Sequence, residues 1–258
     1  MQGLSFKIIL TRIVVLALLL LGINYQSFAT FFSVKHFEKL YVTHEIRQIY
    51  TNLGESNLTF EAWENGMKGY FSLLKTDGIK NSRYLTIVDF SLPSAIERLF
   101  VIDILCAEVV FRSLCAHGRN SGGLMANVFS NTHASYQSSL GFYLTAESYS
   151  GKFDYAMRLD GLEFSNSNAR DRAIVVHGAD YATENFLKQN NGVLGRSLGC
   201  PAVPVHLARQ LIDLIKDGSC FFVYASSKSY LSISKLVNYK PMLVDIAMLE
   251  WGDKNIQY

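Results

Sequence analysis

The sequence has few charged side chains and no run of basic residues. Charged residues make up 18% of the 258 positions, and the formal net charge is +2. A protein that binds nucleic acid through its phosphates usually has a cluster of lysine and arginine. We therefore expect no nucleic-acid partner.

The four cysteines include no Cys-x-x-Cys pair, so the sequence predicts no structural zinc site. Cys106, Cys115 and Cys220 lie in apolar runs and are interpreted as small buried hydrophobic residues. Because four is an even number, disulfide bonds remain the alternative if the chain is exported. Cys200 differs from the other three, since its neighbours are a glycine and a proline.

The N-terminus has the pattern of a targeting segment. Lys7 and Arg12 precede an almost unbroken apolar run from Ile13 to Gly22, and Ser27 and Ala29 then place small residues at the positions that a signal peptidase reads. This pattern predicts a signal peptide over residues 1–29. The run is shorter than the ~20 residues of a comfortable membrane span. An uncleaved anchor is the alternative and would be the protein's only membrane contact. In both cases we expect the remainder in the periplasm or cell envelope.

Three further regions follow the targeting segment. Residues 30–80 show helical spacing of apolar residues over Ser33–Asn52 and Leu58–Leu74, with Thr59 as a plausible helix start, and form a helical lead-in. Residues 81–226 form the main domain, and residues 227–258 form a tail without an interpretable motif.

The main domain is predicted to be mainly β, of the α+β class. Short β-branched or apolar runs alternate with turn residues, which favours a sandwich or barrel over βαβ units. The predicted strands are Tyr84–Phe90, Leu99–Leu105, Val109–Leu114, Phe142–Thr145, Ala156–Leu159, Ala173–His177 and Cys220–Tyr224. One amphipathic helix is predicted after Pro204.

Two segments have the residues for acyl transfer by a thiol. The first is a β-branched strand that ends in His177 and Gly178, and the second is a glycine-rich loop that ends in Gly199 and Cys200. A thiol needs a base or a positive field to become a nucleophile, and backbone amides of a tight turn can bind a developing oxyanion. This chemistry requires no metal and no cofactor.

The same segments resemble a known family. His177-Gly178 followed by Ser197-Leu-Gly199-Cys200 is similar to the signature of L,D-transpeptidases. The surrounding sequence resembles the murein L,D-transpeptidase catalytic domain over roughly residues 58–224. The resemblance implies a β-rich domain that acts on peptidoglycan stem peptides. It also implies that Cys200 is the nucleophile, that His177 is the base, and that Ser197 and Gly199 shape the loop before the nucleophile.

This chain departs from the family pattern at two positions. Many members have His immediately before the Gly-Cys pair and Arg two residues after the Cys, where this chain has Leu198 and Ala202. Arg196 is the candidate for binding a substrate carboxylate instead. The other predicted substrate contacts are Gly178, His117 and Asn131. We interpret His117 either as a structural residue that forms hydrogen bonds or as part of the wall of the substrate groove. Asn131 is interpreted as lining that groove or as capping a strand.

Three functions remain open at this point. In the first, an amine of a second stem peptide resolves the acyl-enzyme, which makes the protein a transpeptidase. In the second, water resolves it, which makes the protein a carboxypeptidase or endopeptidase. In the third, catalysis has been lost and the domain binds the cell wall.

Overall fold

The computed structural model describes residues 34–54, 57–76, 78–151 and 154–252. The predicted signal peptide or anchor, residues 1–29, lies outside these residues. The chain divides into two units after His44, and the described part of the first unit is a helical stretch, residues 34–44. Within the four described ranges, no helix is both long and apolar enough to cross a membrane.

The described residues form six α-helices and eight β-strands. The helices are α1 (Val34–Asn52), α2 (Phe60–Lys75), α3 (Glu184–Gln189), α4 (Val205–Ile215), α5 (Lys228–Ile233) and α6 (Leu243–Gly252). The strands are β1 (Asn81–Asp89), β2 (Leu99–Asp103), β3 (Glu108–Ser113), β4 (Gly141–Gly151), β5 (Asp154–Gly161), β6 (Val175–Gly178), β7 (Ala202–Val203) and β8 (Ser219–Tyr224). Two of these helices, α5 and α6, lie in the tail after residue 226, where the sequence showed no motif.

All eight strands belong to one mixed sheet, in the order β3-β2-β1-β8-β4-β5-β6-β7. The pairs β1–β8 and β6–β7 are parallel, and the other neighbours are antiparallel. The prediction of a mainly β, α+β fold is confirmed. The parallel pair β6–β7 matters most for function, because it places the predicted histidine strand beside the end of the cysteine loop.

The core is built around the central strand β8, all six residues of which are buried. Phe222 on this strand stacks on Phe142 of β4 with ring centroids 4.1 Å apart. An offset stack of this kind adds to the free energy of apolar burial. Helix α2 packs on β1 and β8, and α4 packs on β5 and β6.

Helix α2 begins at the predicted residue. The Thr59 hydroxyl accepts a hydrogen bond from the Ala62 amide at 3.2 Å, which satisfies one of the free amides of the first turn. The same hydroxyl donates to Oδ2 of Asp89 at 2.7 Å, and Asp89 is the last residue of β1. A single carboxylate thus joins the start of the helix to the end of a core strand.

The tail is tied to the domain through Glu163. Its carboxylate accepts hydrogen bonds from the Tyr230 hydroxyl at 2.7 Å and from the Ser234 hydroxyl, both in the tail. It also accepts the Phe142 amide at 2.9 Å, at the start of β4. The region after residue 226 is therefore hydrogen-bonded to the same turn that supports a core strand.

Two glycines of α2 provide a matched test of this packing. A Cβ at Gly69 would lie 2.0 Å from Cζ of the buried Phe142 ring, whereas a Cβ at Gly66 would lie 2.9 Å from Cδ1 of Ile87, the free end of a flexible side chain. We expect Gly69→Ala to lower the free energy of unfolding by about 2 kcal/mol, because overpacking outweighs the gain in helix propensity. We expect Gly66→Ala to stay within about 1 kcal/mol of the parent. Urea denaturation measures both, and equal effects would contradict the proposed role of Phe142.

Candidate functional site

The loop that contains Cys200 is fixed by strand pairing on two sides. On one side, His177 and Gly178 pair in parallel with Ala202 and Val203. On the other, isolated bridges join residues 116 and 118 to residues 202 and 197. Cys200 lies two residues before the partner of His177, which is about 7 Å of extended chain. The sheet therefore brings together the two residues that the sequence separates by more than twenty positions.

Ser197 determines the shape of the turn before Cys200. Its hydroxyl accepts a hydrogen bond from the Gly199 amide at 3.0 Å and donates one to the Cys200 carbonyl at 2.6 Å. Its backbone amide donates to the His117 carbonyl at 3.0 Å. The Gly199 amide is thus used within the loop, which leaves the neighbouring amides of Leu198 and Cys200 as candidates for binding an oxyanion.

Glycine is required at position 199. Its φ of +128° is a conformation that residues with a side chain rarely adopt. A Cβ at this position would lie 2.8 Å from the Gln137 carbonyl oxygen and 3.3 Å from Nη2 of Arg172. The segment around Gln137 therefore lies directly against the loop that presents Cys200.

The buried Ser138 side chain forms hydrogen bonds that support the same loop. Its hydroxyl donates to the Gly199 carbonyl at 3.0 Å and accepts from the Gly118 amide at 3.0 Å. Its backbone amide donates to the Ser121 hydroxyl at 2.9 Å. Nothing local in the sequence predicts this role, because it depends on backbone groups that are distant in the chain.

The Cys200 thiol is largely buried, at 8% exposure, and Sγ lies 3.7 Å from the Ala173 carbonyl. Burial raises its pKa above the ordinary cysteine value, although the Val175 amide and the positive charge of Arg172 oppose this effect. The thiol is therefore protonated at neutral pH. A base must remove its proton before or during attack.

Arg172 is the cation whose charge lowers the pKa of the Cys200 thiol. Its guanidinium donates to the Ser130 carbonyl at 2.8 Å, to the Gln137 carbonyl at 2.6 Å and to the hydroxyls of Ser135 and Ser139. Arg172 is half-buried, because residues 130–139 surround its guanidinium with oxygens. Its neighbour Arg170 is exposed and forms ion pairs with Glu147 and Asp160.

His177 is buried, at 1% exposure, and its Nδ1 lies 2.9 Å from the Gly178 carbonyl oxygen. Because a carbonyl oxygen can only accept, Nδ1 carries the hydrogen and Nε2 is the basic nitrogen. Burial lowers the pKa of His177. The imidazole is therefore neutral at neutral pH and able to accept a proton.

His117 has both ring nitrogens in contact with the protein. Nδ1 lies 2.7 Å from Nη2 of Arg98, which can only donate, and Nε2 lies 3.2 Å from the Gly122 carbonyl. Burial, with the charge of Arg98 as the next cause, lowers the pKa of His117 to about 4. His117 thus lies in the structure as a neutral bridge between the buried Arg98 and the 118–123 loop.

The other three residues predicted to contact substrate, Asn131, Arg196 and Gly178, each contact a different part of the protein. Asn131 uses its amide to hold the 163–168 turn, donating to the Phe164 carbonyl at 2.9 Å and accepting the Asn168 amide at 3.1 Å. Arg196 is half-buried and donates from Nε to the Gly122 carbonyl at 2.6 Å. Gly178 lets α4 approach closely, since a Cβ there would lie 2.9 Å from the Cα of Val205.

The described part of the chain contains four free thiols and no candidate metal cluster. Within it, no three His, Cys, Asp or Glu side chains stand close enough together to hold a metal ion. All four cysteines are unpaired, so the alternative of disulfide bonds is wrong. The interpretation of Cys106 as a buried residue is also wrong: it is exposed, in the turn that joins β2 to β3.

Comparison with known proteins identifies relatives of this domain. A family model described as the L,D-transpeptidase catalytic domain matches residues 54–224, a span that includes His177 and Cys200. The comparison with curated proteins gave no significant match.

Several solved structures resemble the chain at low identity. An L,D-transpeptidase from Mycobacterium smegmatis is 13% identical over 55% of this chain and 59% of its own, with a TM-score of 0.35. L,D-transpeptidase 3 from Mycobacterium tuberculosis is 13% identical over 55% of this chain and 61% of its own, with a TM-score of 0.35. Bd1075 from Bdellovibrio bacteriovorus is 15% identical over 57% of this chain and 51% of its own, with a TM-score of 0.35. The chain spans less than two thirds of the length of each.

The buried His117 predicts a pH dependence of stability. Its folded pKa of about 4 lies below the ordinary value of 6.5, so the unfolded chain binds a proton that the folded protein does not. This pKa difference contributes about 3 kcal/mol to the free energy of unfolding above pH 6.5. The contribution is lost as the pH falls toward 4. We expect His117→Gln to remove most of this slope in urea denaturation between pH 4.5 and 7.5. Parallel curves for the two proteins would contradict the assignment.

The four thiols are expected to react with iodoacetamide in a fixed order. Exposed Cys106 reacts first, and Cys200 reacts slowly at pH 7 and faster as the pH rises, because burial raises its pKa. Cys115, whose pKa burial raises to about 12, and Cys220 react only after unfolding. Mass spectrometry of peptides from samples taken over time gives the order. Labelling of fewer than four cysteines after unfolding without reductant would show a disulfide and contradict the structure.

Proposed function

Because this chain belongs to the L,D-transpeptidase catalytic-domain family, we propose that it is an exported cysteine acyl-transferase of peptidoglycan stem peptides. Cys200 is the nucleophile and His177 is the base. The observation that supports this assignment most directly is the Nδ1 hydrogen bond of His177 to the Gly178 carbonyl, which orients the basic Nε2 on the strand beside the Cys200 loop.

The reaction begins from two neutral groups. Burial raises the pKa of Cys200 and lowers that of His177, so thiol and imidazole do not form an ion pair in the resting protein. As Sγ attacks the scissile carbonyl carbon, Nε2 takes the thiol proton. The carbon–nitrogen bond then breaks, and the imidazolium gives its proton to the leaving amine of the terminal D-residue. The product is a thioester on Cys200.

The second half of the reaction restores the thiol. An amine of another stem peptide attacks the thioester carbonyl, His177 accepts a proton from that amine, and Sγ leaves and is protonated. In both halves a negative charge develops on the carbonyl oxygen. The amides of Leu198 and Cys200 are the proposed donors to this oxygen, since the Gly199 amide is bonded to Ser197.

The four predicted substrate contacts divide into two pairs in this proposal. Gly178 and Arg196 are partly exposed and remain the proposed contacts to substrate in the groove. The polar side-chain atoms of His117 and Asn131 are used in internal hydrogen bonds, which supports a role in shaping its walls. Export follows from the targeting pattern of residues 1–29 and from the location of the substrate in the cell wall.

The assignment is tested by incubating the purified protein with a disaccharide tetrapeptide and following products by mass spectrometry. We expect release of D-Ala and a cross-linked dimer. Cys200→Ala should lose all turnover, and His177→Gln should lower kcat by a factor of about 10² to 10⁴, as expected for a general base. Cys106→Ala, which removes the exposed thiol far from this loop in the chain, is the control that should keep full activity.

Each remaining outcome separates the alternatives. Turnover retained by Cys200→Ala would refute the nucleophile. Release of D-Ala without a dimer would show the hydrolytic enzyme. No reaction of the unmutated protein, together with binding of cell-wall material, would favour the non-catalytic role.

A further inference from the structure

Arg119 is an exposed cation beside the cysteine loop that the sequence did not single out. Its guanidinium lies over the ring of Tyr136, 4.4 Å from the centroid. Within the described part of the chain, Arg119 forms no ion pair with an aspartate or glutamate. A guanidinium that stacks by its face leaves its N–H groups pointing outward at its edge, where they can bind a carboxylate with two parallel hydrogen bonds.

Both members of this stack are held against the loop that presents Cys200. The Arg119 amide donates to the Ser197 carbonyl at 2.8 Å, and the Ser197 hydroxyl contacts the Cys200 carbonyl. Tyr136 is followed by Gln137, whose carbonyl is the atom that a side chain at position 199 would strike. The backbones next to both side chains therefore contact the loop that presents Cys200, from two separate segments of the chain.

The backbone around Tyr136 is strained. Tyr136 has a φ of +55° and Ala134 a φ of +54°, a left-handed conformation that costs free energy in residues other than glycine. The strain is maintained by hydrogen bonds from Asn120, whose amide donates to the Tyr136 carbonyl at 3.1 Å and whose side chain donates to the Ser135 carbonyl at 2.9 Å. Strain of this kind is typical of segments that position a functional group.

Two other arginines of this region, Arg172 and Arg196, are already engaged, and a third, Arg98, is fully buried. Arg172 is half-buried, and its guanidinium already donates to oxygens of residues 130, 135, 137 and 139. Arg196 uses Nε on the Gly122 carbonyl and Nη1 on the Leu194 carbonyl. Arg119 therefore has the greatest number of N–H groups left for a substrate.

We propose that Arg119, positioned by Tyr136, binds the terminal carboxylate of the donor peptide. This inference rests on the proposed function, in which the scissile amide precedes the last residue, so that the terminal carboxylate lies one residue from the carbon that Sγ attacks.

The test compares two tetrapeptide donors, one with a free C-terminal carboxylate and one with a C-terminal carboxamide. Binding is measured by calorimetry in the full chain with Cys200→Ala, and kcat/KM is measured with Cys200 intact. We expect Arg119→Met to raise the Kd for the free acid and to lower its kcat/KM, each by a factor of about 10 to 100, as for loss of a charged hydrogen bond. The carboxamide donor should be little affected.

Matched variants separate substrate binding from general damage. Arg209→Met removes an exposed arginine that likewise stacks on a tyrosine, Tyr155, 4.2 Å from the ring centroid, and it should change neither donor. Tyr136→Phe keeps the ring face and should behave like the parent, whereas Tyr136→Leu should show part of the selective loss seen for Arg119→Met. Thermal unfolding of each variant shows that the fold is intact.

The outcomes distinguish this inference from the proposed function. If the protein turns over the peptide but Arg119→Met affects both donors equally or neither, the carboxylate site is refuted and the reaction stands. If there is no turnover but binding of the free acid depends on Arg119, the reaction is refuted and the site stands. Absence of binding of either donor to the Cys200→Ala protein refutes the site.

Discussion

The geometry of the candidate active site depends on one hydroxyl group, that of Ser138. It accepts the Gly118 amide and donates to the Gly199 carbonyl, so it joins three segments that are distant in the sequence. Both hydrogen bonds are buried, and an unpaired group there would keep its full desolvation penalty. The backbone immediately before Cys200 is consequently positioned by the interior of the domain. The proposed nucleophile would then require little reorganisation when a substrate binds.

Burial acts on the two proposed catalytic groups in opposite directions. It favours the neutral thiol of Cys200 and the neutral imidazole of His177. A protonated thiol is also a poor target for oxidants, since oxidation proceeds through the thiolate. For an enzyme proposed to work in an oxidising compartment, the burial that keeps the Cys200 thiol protonated would also protect it from oxidation between turnovers.

The sequence predicts the parts of this protein that depend on local patterns. The strand ending in His177, the glycine loop before Cys200 and the N-cap Thr59 each have a nearby signature, and the structure places them in the expected elements. Ser138 and Arg172 could not be assigned in this way, because their roles depend on backbone carbonyls 61 and 35 residues away. Cys106 was misassigned because an apolar neighbourhood does not show that the residue itself occupies a turn.

The Glu163 carboxylate has a consequence for where this domain ends. Similarity to the family stops at residue 224, yet two of the three hydrogen bonds to this carboxylate come from hydroxyls that lie beyond that point. If the chain ended at residue 224, the partly buried Glu163 carboxylate would keep only one of these three hydrogen bonds, the one from the Phe142 amide. The end of the family match is therefore not the end of the compact unit, because residues beyond it hold a carboxylate of the matched domain.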